Sequence, residues 1–354
     1  MTKKVCVIKG DDSSPEAVLP TVEILKAMGL DMEFLWPITG DEAIAKYSDG
    51  FPEEARQAVD EADCTLFGAT GGRTGGLGYL RWGKKTYANF RPIKWVKGMN
   101  SPLKNPEGID FVVVRENLEG LYPGREGDIE QLAPIKLVDR MTGSTLDTSI
   151  KGKFAVRIIT EENTRNICHA ACKLALKRKA AGSPGKVTVA CKYNMLAQSD
   201  GLFRQIAEDT VKGYYPELVF DQLIVDNFAH QLIRNPQQFD VVVMPNEHGD
   251  VLADGAAALI GGLGLAPSSC IGDNYAYFEP VHGSFPRATG QNIINPTATI
   301  LSAKMMLEYL GLEAEAQRLE KAVYKVYEEG KHLTRDQGGT ASTIEFCAAV
   351  KANL

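Results

Sequence analysis

Asp250 and Asp254 stand four residues apart in Asn246-Glu-His-Gly-Asp-Val-Leu-Ala-Asp254, so on a helix their carboxylates project from one face. Like charges at that spacing repel, and a divalent cation shared between them is one reason to keep both. Hard oxygen donors suit Mg²⁺ or Mn²⁺, with positions left open for substrate and water. The small and apolar neighbours Val251, Leu252, Ala253, Gly255 and Ala256 weigh against the alternative, a solvated acidic face. Asp226, closing the run Leu223-Ile-Val-Asp226 at a strand end, is a third candidate ligand. Cations gather at Arg81, Arg91 and Arg115. Arg115 ends the apolar run Phe-Val-Val-Val-Arg and Arg91 is followed by Pro92. A planar guanidinium there suits two-pronged binding of a carboxylate, and a structural ion pair is the alternative for each. Lys192 follows the apolar run Lys-Val-Thr-Val-Ala-Cys, at the carboxyl end of a strand, where α/β proteins bind ligands. Desolvation or nearby cations would fit it for base catalysis; the alternative is an exposed loop lysine.

The elements that must carry these residues alternate. Val5–Lys9, Asp63–Phe67, Phe111–Arg115, Lys186–Ala190, Leu218–Val225 and Asp240–Met244 read as strands. Pro15–Met28, Glu161–Lys179, Ser199–Lys212, Ala253–Leu259, Thr299–Leu310 and Glu313–Glu329 read as helices. Strands separated by helices predict an α/β fold with much of the sheet parallel. No Gly-x-Gly-x-x-Gly opens a helix after a strand. The glycine-rich stretch Gly68–Gly78 follows the strand ending at Phe67 but lacks both the Rossmann context and the Gly-Lys-Ser/Thr of a P-loop.

The 354 residues carry 39 Lys and Arg against 45 Asp and Glu, a net charge of -6. Such a length suggests two domains. The acidic balance excludes binding of nucleic acid through bulk positive charge, so an anionic ligand must be held by a few placed cations. Seven cysteines form no Cys-x-x-Cys pair and sit largely in apolar runs, which suits a reducing compartment and argues against a thiolate zinc site. No signal core and no apolar run of about 18 residues is present, so no membrane is expected as a partner and the cytoplasm is the expected location.

The long run Asp240–Asp254, then Gly261-Gly-Leu-Gly-Leu-Ala-Pro267, Phe278-Glu-Pro-Val-His-Gly-Ser284 and Asn295-Pro296, resembles the metal-dependent β-decarboxylating dehydrogenases: the isocitrate, homoisocitrate and 3-isopropylmalate enzymes. Arg81-x9-Arg91-Pro, Arg115-Glu-Asn-Leu-Glu-Gly-Leu-Tyr122 and Lys192-x-Asn194 follow in the family's order, and the likeness spans about Val5 to Ala349. It implies two α/β domains without a Rossmann fold. Residues 1–98 with 256–354 would form a large cofactor-binding domain, and 99–255 a small one with the substrate and metal site and a dimer interface. The resemblance further implies that Arg81, Arg91 and Arg115 clamp the substrate carboxylates and that Asn194 also binds substrate. Asp250 and Asp254 would hold Mg²⁺ or Mn²⁺ with Asp226 from the neighbouring subunit of a homodimer. Lys192, also donated across that dimer, would be the base and Tyr122 the acid. Thr70, His282, Gly283 and Asn295 would hold NAD or NADP. The implied reaction is oxidative decarboxylation of a 2-hydroxy acid.

Departures from the family pattern bear on substrate and cofactor. Gly-Asp-Gly-Ile-Gly-Pro-Glu reads here as Gly10-Asp-Asp-Ser-Ser-Pro-Glu16, which predicts an altered loop. Before Arg81, the Ser-x-Asn typical of isocitrate enzymes is Gly75-Gly76-Leu77. The Glu and two Leu of isopropylmalate enzymes correspond to Thr74, Leu77 and Gly78. The surrounding residues are nearest to homoisocitrate enzymes, whose extra arginine is Gly78 here, with Arg73 a possible substitute. Isocitrate or homoisocitrate is the favoured substrate, with 3-isopropylmalate, tartrate or malate as alternatives. Arg287 replaces an acid that accepts from the NAD ribose, and with Arg335 it favours NADP. A non-catalytic regulatory subunit is the competing reading, opposed by the intact set Lys192, Tyr122, Asp226, Asp250 and Asp254.

Overall fold

A computed structural model describes residues 2–354. Twelve strands are present among them: β1 Lys3–Ile8, β2 Met32–Leu35, β3 Cys64–Phe67, β4 Ala88–Lys94, β5 Asp110–Glu116, β6 Glu126–Asp128, β7 Lys153–Ala155, β8 Lys186–Cys191, β9 Val219–Ile224, β10 Val241–Met244, β11 Pro267–Ile271 and β12 Ala276–Pro280. Ten of them form one sheet in the order β2-β1-β3-β12-β11-β4-β5-β10-β8-β9, while β6 and β7 pair as a separate arm. Two parallel groups, β2-β1-β3-β12 and β5-β10-β8-β9, flank antiparallel pairings through β11 and β4. The expected α/β class with a largely parallel sheet is therefore present.

Helices cover both faces: α1 Pro15–Ala27, α2 Asp41–Tyr47, α3 Glu53–Glu61, α4 Glu161–Ala180, α5 Ser199–Tyr214, α6 Val225–Arg234, α7 Asn246–Ile260, α8 Thr297–Tyr309, α9 Glu313–Glu329 and α10 Thr343–Ala352. Pro15 opens α1, where a missing N–H costs nothing. The strands β5 and β10 read as continuous apolar runs because helices bury both of their faces. Residues 1–98 and 256–354 supply the first six strands of the sheet order, and 99–255 the last four.

Two expectations change at the site. The helix predicted over Ala253–Leu259 starts seven residues earlier, at Asn246, so Asp250 and Asp254 both lie on α7. The strand predicted over Leu218–Val225 ends at Ile224, which puts Asp226 in the first turn of α6 and not at a strand end. Also unanticipated is β4, because Pro92 interrupts its pattern. Pairing with β11 stops at Phe90, so the missing N–H of Pro92 falls beyond the paired stretch.

Candidate active site

Strand alternation sets the geometry. Asn89 is paired with Arg115 and Arg91 with Val113 across β4 and β5, so both arginines stand on the face covered by α7. Arg91 donates from Nη2 to Asp250 Oδ1 at 2.9 Å and from Nη1 to Asp254 Oδ1 at 3.3 Å, while Nε is held by Asn89 Oδ1 at 2.7 Å. Arg115 donates from Nη1 to the same Asp250 oxygen and from Nε and Nη2 to Asn246 Oδ1, at 3.0 and 2.7 Å. Asn246 in turn donates to the Glu119 carbonyl at 2.7 Å. Gly249 is required by this packing. A Cβ there would lie 2.8 Å from Arg115 Cβ, so only glycine lets α7 descend onto the arginine.

Arg81 enters from a π-helical turn, Tyr79–Gly83, a geometry often found at functional sites. Its Nε is buried without a partner. Tyr122 is 40% exposed; its ring lies 5.4 Å from the Arg115 guanidinium. Burial, then the negative charge of Asp250, raises the Tyr122 hydroxyl, so it stays protonated. Burial works to raise the Asp250 carboxyl, but the guanidiniums of Arg115 and Arg91 outweigh it and hold the group below the usual value. At Asp254 burial wins and the pKa is raised. Arg115 is pulled down to about 10 by burial and by its neighbour Arg91. Two guanidiniums, Arg91 and Arg115, are paired with the carboxylates, and the charge of Arg81 acts on Arg115, so positive charge is concentrated at this end of α7. Asp250 and Asp254 also offer hard oxygen donors one helical turn apart, which fit Mg²⁺ or Mn²⁺, although no set of three His, Cys, Asp or Glu residues is assembled for a metal among the described residues.

Lys192 and Asp226 lie apart from this cluster. They form an ion pair with each other, between the residue following β8 and the first turn of α6, and neither bonds to Arg81, Arg91, Arg115, Asp250 or Asp254. Asn194, two residues on, is exposed. One chain thus brings together three arginines, Tyr122 and two aspartates, and keeps the lysine, Asn194 and the third aspartate elsewhere.

A third region is built by loops at the carboxyl ends of β1, β3 and β12. Buried Asp11 is its hub: it accepts from Thr70 Oγ1 at 2.7 Å and from the backbone N–H groups of Gly71, Arg73 and Thr74 at 2.8, 3.1 and 3.0 Å. Ser13 Oγ donates to the Phe285 carbonyl at 3.1 Å, and Gly283 faces the Thr70 carbonyl, so the loops close on one another. Asp12 stands at φ 55, in the left-handed region, so this altered loop adopts at Asp12 a backbone that glycine favours. Arg73 is tied to Asp12 and, through Nε, to Asp41 at 3.1 Å. Burial lowers the pKa of His282, only partly offset by the Gly283 carbonyl 2.9 Å from Nδ1. Asn295 donates to Asp336 at 2.9 Å, whereas Arg335 and Arg287 are exposed and have no ion-pair partner among the described residues.

Several residues that build these sites carried no readable signal. Asn246 and Asp11 are recognisable only by what they hold, and Glu279, half-buried near Arg81, belongs to the Phe278–Ser284 run without a role readable from the sequence. Residues 4–350 match the family model described as isocitrate/isopropylmalate dehydrogenase. The chain is 42% identical to a 3-isopropylmalate/3-methylmalate dehydrogenase of Methanocaldococcus jannaschii, covering 98% of this chain and 97% of the relative. It is 40% identical to an isocitrate/homoisocitrate dehydrogenase of Thermus thermophilus, covering 99% and 98%. The crystal structure of isocitrate dehydrogenase from Methylococcus capsulatus superposes with a TM-score of 0.85 at 31% identity, over 99% of each chain.

Proposed function

The chain belongs to the isocitrate/isopropylmalate dehydrogenase family, decarboxylating oxidoreductases of a CH–OH group, and on that premise we propose that its substrate is a malate with an uncharged substituent at C3, such as 3-isopropylmalate or 3-methylmalate. The observation that carries this is the position of Arg73. A third carboxylate would need a cation or a hydrogen-bond donor from a side chain in the stretch before Arg81, and Arg73 is already paired with Asp12 and Asp41. Thr74 is buried on Asp11, and Gly75 and Gly76 close against Phe51. The remaining residues of that stretch, Leu77 and Gly78, have no side-chain hydrogen-bonding group. On this reading the isocitrate or homoisocitrate favoured from the sequence ranks second, as the substrate of relatives such as the Thermus thermophilus isocitrate/homoisocitrate dehydrogenase.

Arg81, Arg91 and Arg115 orient the two malate carboxylates, which is catalysis by positioning. Lys192 of a second subunit takes the hydroxyl proton, and Tyr122, kept protonated by burial and by Asp250, returns a proton to carbon after CO₂ departs. Asp250 and Asp254 would hold Mg²⁺ or Mn²⁺ with Asp226 of that subunit, which would supply Lewis-acid stabilisation of developing charge, and Thr70, His282, Gly283 and Asn295 would hold the NAD(P) that supplies a hydride acceptor. The shared site is supported by the separation of Lys192 from the arginines and by exposed apolar side chains on the β6–β7 arm, among them Ile135, Val138 and Met141. Residues 1–98 with 256–354 act as the cofactor domain and 99–255 as the smaller one. The free cation of Arg287, with Arg335, favours NADP over NAD, and seven buried, unpaired cysteines suit the cytoplasm.

Purified protein with Mn²⁺ and either cofactor should reduce it fastest with 3-isopropylmalate or 3-methylmalate. A higher kcat/KM on isocitrate or homoisocitrate overturns the substrate, and folded protein inactive on all of these and on tartrate and malate overturns catalysis.

A further inference from the structure

The ion pair with Asp226 fixes the tip of Lys192, but a second aspartate fixes its backbone. Asp200, in the first turn of α5, is fully buried, and its Oδ2 accepts from the Lys192 N–H at 2.5 Å. The other oxygen, Oδ1, accepts from Arg157 Nη1 at 2.5 Å. Arg157, which follows β7, turns its other edge to α7, where Nε pairs with Glu247. Glu247 adjoins Asn246, the residue that grips Arg115, and lies three residues before Asp250. The enclosure is tight. Gly120, at φ 86, closes over it so that a Cβ there would fall 2.7 Å from Glu247 Oε2. Arg157 Nη2 and Glu247 Oε2 are buried without partners, so the link rests on these two ion pairs and a long contact from Arg157 Nη1 to Ser199 Oγ at 3.5 Å.

One guanidinium thus spans the turn that carries Lys192 and the helix that carries Asp250 and Asp254. We propose that Arg157 is a positioning residue that locks these two segments in register. This rests on the function proposed above, under which Lys192 serves the neighbouring subunit's site while α7 serves its own. Arg157 is then the rigid connection between the two active sites of a dimer. Only a planar fork reaches both carboxylates from different edges; a lysine ammonium would satisfy one and release the other.

The test compares the full-length wild type with Arg157→Lys, Glu247→Gln and Asp200→Asn, each checked for unchanged melting of the chain. Arg157→Lys should lower kcat about 10- to 100-fold, with KM for the hydroxy acid moved by less than about threefold. Asp200→Asn keeps an acceptor for the Lys192 N–H and should retain more activity than Asp200→Ala. Hydrogen exchange supplies a readout independent of turnover. In Arg157→Lys, peptides covering 190–198 and 246–252 should both exchange faster while those of β1 and β3 stay unchanged. Glu247→Gln, the mildest variant, should show the same local pattern if Arg157→Lys proves unstable. Unaltered exchange in both segments together with wild-type kcat overturns the proposal, as does faster exchange spread evenly over the chain. A wild type inactive on every hydroxy acid would instead overturn the function above, leaving the exchange pattern to decide whether Arg157 joins the two segments.

Discussion

The arginine cluster and the Lys192–Asp226 pair are both charged, yet they are built in opposite ways. Arg115 and Arg91 are buried at 2% and 6% exposure, and nearly every donor they carry has a partner on β4 or α7. Lys192 and Asp226 are open, with side chains 28% and 65% exposed, and their charged ends pair only with each other. In the first region charge is part of the packing, so removing a partner strands another group. In the second it is free to be shared with something outside the chain. A stability experiment and an activity experiment should therefore rank the two regions differently.

The sharpest test is Lys192→Met, expected to lower kcat by roughly 10²- to 10⁴-fold as a lost general base does, with little change in melting. Mixing it with Asp250→Asn should recover about a quarter of wild-type activity through hybrid dimers with one intact site, given two-fold symmetry and random pairing. No recovery in confirmed hybrids would place both half-sites in one subunit. Stability should reverse the ranking. Asp250→Ala strands two buried guanidiniums and should cost about 3 kcal/mol in urea denaturation, whereas Asp226→Ala should cost less than about 0.5 kcal/mol. Equal losses would erase the contrast. A smaller effect belongs to the exposed Arg287: under the proposed cofactor role, Arg287→Asp should shift the ratio of kcat/KM for NADP over NAD about tenfold towards NAD, with melting unchanged. A wild type already preferring NAD would refute the reading of that loop.

The mildest effect is in pH. Glu116 is buried beside Arg115, and burial raises its pKa from 4.5 to about 7, against the backbone N–H groups of Glu119 and Leu118. A raised folded pKa favours the protonated form, so its contribution is complete below the unfolded value and fades as pH rises through about 7. Wild-type melting should fall between pH 5 and about 8 more steeply than that of Glu116→Gln; identical slopes would remove Glu116 from the pH response.

What the residues revealed in advance follows the same division. The Arg115 strand, the four-residue spacing of Asp250 and Asp254, and the Lys192 strand end were legible because periodicity and residue type point one way. The start of α7 was not, since Gly249 weakens a helical pattern in isolation and makes sense only against Arg115. Nor was β4, where Pro92 reads as a breaker until the end of the β11 pairing is known. Asp226 was identified as a candidate but put on the wrong element, because Leu-Ile-Val-Asp reads as a continuing strand whether or not the next turn is helical. Asp11, Arg157 and Asp200 could not be singled out, since a buried carboxylate looks like any other until its partners from distant segments are present.

The seven-pair ladder between β4 and β5 joins the six strands supplied by residues 1–98 and 256–354 to the four supplied by 99–255. Arg91 stands on one side of that seam and Arg115 on the other, and both reach the same oxygen of Asp250. The two arginines that the proposed function assigns to the substrate carboxylates are therefore held together across this seam. A residue inserted in β4 or β5 would thus shift Arg91 relative to Arg115 even where it lies away from both.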